Sequence, residues 1–178
     1  MCARQAARRD RVDEVMDGWR AELPEAATVQ LEIVKRTARL KSLVEEVTQA
    51  VLGEYGLTYA EFDVLATLRR AGAPYRLKPS RLASRSSLTT GGTSNILQRL
   101  TAAGLVEREP DPDDGRSSWV RLTGQGVRRA EELALATGEA HAELLAGVPD
   151  ETARALADLL REVLLTLGDR SGPARGPA

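Results

Sequence analysis

Between residues 89 and 103 the chain gathers short hydrogen-bonding side chains beside one guanidinium: Thr90, Thr93, Ser94, Asn95, Gln98 and Arg99. On a helix these lie outside while Ile96, Leu97, Leu100 and Ala103 are spaced to pack inward. Hydroxyl, carboxamide and guanidinium groups match base edges and phosphate oxygens in a DNA major groove. Gly91 and Gly92 near the start each weaken a helix by about 1 kcal/mol relative to Ala, which calls for something that approaches the backbone closely. A DNA phosphate at a helix N-terminus meets that need. A solvated polar face with a frayed start is the competing reading. Lys78, Ser80 and Thr89 complete this part of the candidate DNA-contact set.

A second constellation is Asp114-Gly115-Arg116-Ser117. An Arg at a hairpin tip can enter a narrow minor groove, where the potential is most negative. Asp114 can hold Arg116 by a charge-assisted hydrogen bond. An ordinary Asp-Gly turn would leave the same residues in the sequence. Charge is distributed in keeping with a DNA contact. The chain carries a net charge of −1, yet residues 76–121 hold eight basic side chains against five acidic, a local +3. From Thr123 onward the balance is −3, six basic against nine acidic. The middle is the basic part of an acidic protein.

Such residues need elements to hold them. Residues 9–20 form a short amphipathic pattern with Val12, Val15, Met16 and Trp19 on one face, and Pro24 follows. A long helical pattern runs from Thr28 to Gly53, with Ile33, Leu40, Val44, Val47 and Val51 as its stripe. Thr58 and Glu61 make a capping box for a helix carrying Phe62, Leu65 and Leu68, closed by Gly72 and Pro74. A brief segment, Pro79 to Ser84, precedes the polar helix, which stops at Gly104, a natural left-handed C-terminal residue. Three short helices joined by tight turns are the frame of a helix-turn-helix.

Periodicity then switches to two. Residues 105–109 and 119–122 read as strands around the turn-rich loop 110–117, a β-hairpin. Thr123 caps a long helix whose stripe is Val127, Ala130, Ala134, Thr137, His141, Leu144 and Val148. A last helix after Pro149 turns Ala153, Leu156, Leu160, Val163 and Leu167 inward, and the tail from Gly168 has a disordered composition. The expected fold is mainly α with a small β-hairpin wing: a winged helix-turn-helix with long N- and C-terminal dimerisation helices. Its parts are an extension helix (1–27), a dimerisation helix (28–57), the winged helix-turn-helix (58–122), C-terminal dimerisation helices (123–167) and a tail (168–178). The apolar stripes of the flanking helices lack a partner in so small a core, and a two-fold axis would supply one.

From Leu57 to Gly126 the sequence resembles the MarR family of winged-helix regulators. The most specific parts are Ala103-Gly104-Leu105-Val106, Asp111-Pro112-Asp113-Asp114-Gly115-Arg116, and Leu122-Thr123 with Gly126 behind it. With the flanking helices the resemblance spans about residues 28–167. It implies a homodimer on double-stranded, pseudo-palindromic operator DNA, typically as a repressor, relieved when a small-molecule effector binds between the dimerisation and DNA-binding parts. A narrower similarity joins Trp19, EFDVLATLRRAG and APYRLKPSRL to the urate-responsive branch of that family. It implies Trp19 and Asp63 as ligand-pocket residues, against packing and salt-bridging roles for the same side chains. The Arg of that branch falls at Ile96 here, which removes the main partner of an anionic purine.

Enzyme chemistry finds little footing. The one histidine, His141, lies on a helix stripe, the one cysteine is Cys2, and neither has a nucleophile or metal partner at useful spacing. Gly91-Gly92 lacks the Lys of a phosphate loop. No catalytic residue, metal or cofactor is expected. Without an apolar run of membrane-spanning length or a secretory signal, the expected setting is the cytoplasm. A winged helix that binds protein in place of DNA remains the alternative, against which the polar, Arg-bearing outer face of 89–103 argues.

Overall fold

A computed structural model describes residues 9–86, 90–111 and 117–170, apart from the side chains at positions 90 and 91. It divides into two compact units, Met1–His141 and Ala142–Ala178. In the first unit, α1 (Arg11–Glu22) starts at Asp10, whose carboxylate accepts from the backbone N–H groups of Val12 and Asp13. It buries Val12 and Met16. Ion pairs tie it to α2 (Val29–Glu54): Arg36 reaches Asp10 at 2.9 Å and Asp13 at 2.7 Å, while Arg20 bridges Asp17 and Glu32. The stripe expected on α2 is only partly inward. Its fully buried positions are Thr48 and Leu52, whereas Ile33 is more than half exposed.

Helix α3 (Tyr59–Arg70) begins with the expected capping box. Gly72 follows in the left-handed region at φ 81°. The next elements are β1 (Arg76–Leu77), α4 (Pro79–Arg85), α5 (Thr90–Ala102), β2 (Val106–Pro110) and β3 (Ser118–Leu122). Strand β1 was not expected from sequence, because two residues carry no period. It pairs antiparallel with β3, so the hairpin is part of a three-stranded sheet in the order β1-β3-β2. One core joins Leu52, Val64, Leu65, Leu68, Leu82, Leu97, Leu100, Val106, Val120 and Leu133.

Helix α6 (Gly124–Leu145) leans on that core through Gly126, Ala130, Leu133 and Thr137. Sequence periodicity had put Ala134 inside. The 4-3-4 spacing from Gly126 places Leu133 there instead, and Ala134 is exposed. A Cβ on Gly126 would lie 1.9 Å from the carbonyl oxygen of Leu105, so only glycine admits the approach. Thr123 closes the joint: its hydroxyl donates to Gly104 O at 2.7 Å and accepts from the Gly126 N–H at 3.0 Å.

The second unit contains α7 (Asp150–Thr166), with Asp150 and Glu151 in its first turn. Its stripe does not face inward as expected from sequence. None of its residues is buried, and Leu156, Leu160, Val163 and Leu167 are all exposed in the single chain. No described helix is long and apolar enough to cross a membrane.

Candidate nucleic-acid interface

Helix α5 sorts its side chains into two faces. Ile96, Leu97 and Leu100 are buried, and Ser94, Asn95, Gln98 and Arg99 are exposed. At 3.6 residues per turn the four exposed groups fall within about 140° of arc, a single face. Two expectations are corrected. Thr93, expected outside, is only 3% exposed, because it precedes Ile96, Leu97 and Leu100 at helical spacing. Ala103, expected inside, is exposed just past the end of the helix. Ser80 is exposed at the start of α4, and Thr90 opens α5.

Arg99 is positioned from behind. Its Nε lies 3.1 Å from Oε1 of Glu61, while the side chain as a whole stays 59% exposed. The other oxygen of that carboxylate accepts from the Thr58 N–H at 2.8 Å and the Thr58 hydroxyl at 2.7 Å. The capping box of α3 thus doubles as an anchor for a cation on the polar face of α5. Sequence reasoning found the box but not its second task, for which only the spacing of helices in space is informative.

Apart from Arg108, which pairs with Val120, the sheet carries its charge on one face. Leu77, Val106, Val120 and Leu122 share the core side, and Arg76, Arg121, Trp119, Glu107 and Glu109 share the other, as the strand register requires. Arg121 pairs with Glu107 at 2.6 Å and Glu109 at 2.8 Å, and Arg76 with Glu109 at 3.3 Å. The hydrogen bond from Arg121 to Glu107 raises the guanidinium pKa above its ordinary value, with the charges of Glu109 and Glu107 adding to it. Lys78 extends the row and pairs at 2.7 Å with Asp111, whose side chain is only 3% exposed. The ring of Trp119 lies beneath both β1-side cations, 4.9 Å from Arg76 Cζ and 5.2 Å from Lys78 Nζ. Asp111 closes the hairpin by donating its N–H to Ser117 O at 3.1 Å. Thr89, Asp114 and Arg116 lie outside the described residues. The carboxylates Glu107 and Glu109 were counted from sequence only as charge, and Asp111 as charge and as part of a family motif; their alternate spacing was the signal that they share a face.

The two pocket candidates sit on different helices. Trp19 is 40% exposed on α1, and Asp63, on α3, has Arg70 at 3.9 Å. His141 bonds through Nε2 to the Thr48 hydroxyl at 2.8 Å. That hydroxyl already donates to Val44 O, so the histidine nitrogen is the donor. Among the described residues no three His, Cys, Asp or Glu side chains gather as metal ligands.

The MarR family model matches residues 55–117, which include α3, α4, α5 and β2. PecS of Dickeya dadantii, an HTH-type transcriptional regulator, is 30% identical over 85% of this chain and 92% of its own length. The multiple antibiotic resistance protein MarR of Escherichia coli is 32% identical over 71% of this chain and 89% of its own. The crystal structure of an E. coli MarR mutant complexed with operator DNA superposes with a TM-score of 0.63 at 28% identity, covering 77% of this chain and 99% of that one. The match extends through the capping box, the polar helix, the hairpin and the helices on either side, and on that ground the chain belongs to the MarR family of winged-helix transcriptional regulators.

Proposed function

We propose that the protein is a sequence-specific DNA-binding repressor that acts as a homodimer on a pseudo-palindromic operator. The observation that carries this reading is the polar face of α5: Ser94, Asn95, Gln98 and Arg99 exposed together over a buried apolar face, beside a hairpin. The related E. coli protein in complex with operator DNA supports the same assignment. Ser94, Asn95 and Gln98 read base edges. Ser80, Arg99, Ser117 and, outside what the structure describes, Thr89, the Thr90 side chain and Arg116 hold phosphates or the minor groove, with Asp114 orienting Arg116. Lys78 contributes through its place beside the hairpin.

The exposed row Leu156, Leu160 and Val163 on α7 supports dimerisation, since an apolar helix face of that length is normally covered. Two copies set their α5 helices in successive major grooves about one DNA turn apart. A small effector that contacts Trp19 and Asp63 modulates binding, and the protein works in the cytoplasm. A gel shift on the DNA upstream of the protein's own gene tests the reading. Binding to one duplex well above random sequence, weakening steeply with salt, is expected. Equal binding to all duplexes, or none, refutes it. Sedimentation of the free protein at twice the chain mass is the matching expectation for the dimer.

A further inference from the structure

The outer face of the sheet holds an ion pair with a buried carboxylate at the point where the hairpin leaves it. Asp111 follows β2 directly, its side chain is almost wholly enclosed, and its partner Lys78 is the residue immediately ahead of α4. The same Asp111 makes the last described rung of the hairpin through its N–H to Ser117 O. Between them, Trp119 of β3 forms the floor under Lys78 and Arg76. One residue therefore joins the root of the hairpin to the entry of the helix-turn-helix. A buried carboxylate is expensive to keep unless it is matched, and this one is matched across two elements that both face DNA in the reading above.

We propose that Asp111 is a positioning residue for DNA recognition: with Lys78 it locks the hairpin to α4, so that hairpin and α5 meet one duplex in a fixed relative geometry. This rests on the DNA-binding reading. Asp111 itself touches no phosphate; its negative charge near the interface would on charge alone repel DNA. That conflict gives the proposal a test of sign. Removing the charge strengthens binding if Asp111 is merely a surface carboxylate. It weakens binding if the lock matters, because a preorganised contact is lost.

The experiment measures affinity for the duplex found in the gel shift, across a salt series, for wild type, Asp111→Asn, Lys78→Met and the double variant, together with amide exchange of the free proteins. Asp111→Asn is expected to bind about tenfold more weakly, and the double variant about as weakly as either single one. Exchange protection at the Asp111 amide falls while that at Val120 is kept. Equal or tighter binding by Asp111→Asn overturns the proposal. So does a further loss in the double variant with a salt slope reduced by about one, which would make Lys78 a phosphate contact in its own right. If Asp111→Asn fails to fold, Lys78→Met decides alone, since Lys78 is over a third exposed: unchanged protection at Asp111 overturns the lock. Failure of the wild type to prefer any duplex sinks the DNA-binding reading, and with it this role for Asp111. Loss of protection in the variants would then mark the pair as structural only.

Discussion

Replacing Gly126 by Ala forces a conflict between local preference and packing. A Cβ at this position falls 1.9 Å from Leu105 O, 2.9 Å from Leu105 C and 3.3 Å from Leu122 Cδ2. The two closest atoms are backbone and cannot swing aside, so the start of α6 must retreat by about 1 Å, an overpacking cost of about 1–3 kcal/mol. The retreat pulls on the Thr123 N–H to Leu105 O bond at 3.1 Å and the two Thr123 hydroxyl bonds at 2.7 and 3.0 Å. Weakening these adds about 1–2 kcal/mol. Better helix propensity returns at most about 1 kcal/mol. The expected net loss is about 1–4 kcal/mol, a fall in Tm of roughly 2–16 °C for a chain of this size. Gly138→Ala, in the same helix with nothing within 4 Å of its Cβ, isolates the propensity gain and should stabilise by about 0.5–1 kcal/mol. Urea unfolding followed by circular dichroism, at one fixed protein concentration, measures both. A Gly126→Ala midpoint at or above that of wild type refutes the reasoning.

Three other outcomes are expected. Asn95→Ala changes which sequences are selected from genomic DNA and lowers affinity for the original duplex by about 1–3 kcal/mol; an unchanged consensus would remove Asn95 from base readout. Glu61→Ala takes away the acceptor of the Thr58 N–H and the partner of Arg99, and lowers stability by about 1–2 kcal/mol in thermal unfolding, while an unchanged Tm would deny the capping box its role. Arg36 hydrogen-bonds Asp10, and Arg9 with Arg20 hydrogen-bonds Asp17, holding both carboxyls below the usual carboxylate range. A depressed folded pKa gives support that is complete above the ordinary aspartate value and lost as pH falls through the lower one, so the α1–α2 contact loosens only in acid. Trp19 emission in a Trp119→Phe variant, followed from neutral pH downward, should hold steady until that range and then change; a change near neutrality would contradict the assignment.

Much of this architecture was legible in local signals. The Thr58–Glu61 box, the left-handed Gly104 at φ 70° and the switch to period two each depend on neighbours within a few residues. What depends on register between distant segments was not legible. The two residues of β1 have no pattern of their own, and the pairing of Arg76, Lys78 and Arg121 with Glu107, Glu109 and Asp111 exists only once three strands align. Thr93 and Ala134 were each put on the wrong face, since a short stripe tolerates either of two adjacent residues as its edge. Gly126 stood out as part of a motif, but its reason, the carbonyl of Leu105, comes from another element.

The neutralised sheet face also bears on how an encounter with DNA begins. Three cations and three carboxylates of the 76–121 stretch cancel there at close range. The surplus positive field therefore emanates from what is left, with Arg81 and Arg85 exposed on α4 and Arg108 at the outer strand, while Glu61 offsets Arg99 on α5. Long-range attraction turns a charged body before it captures it. A duplex drifting past should be drawn to the helix-turn-helix side first, so that the encounter complex is already oriented when short-range contacts begin to form.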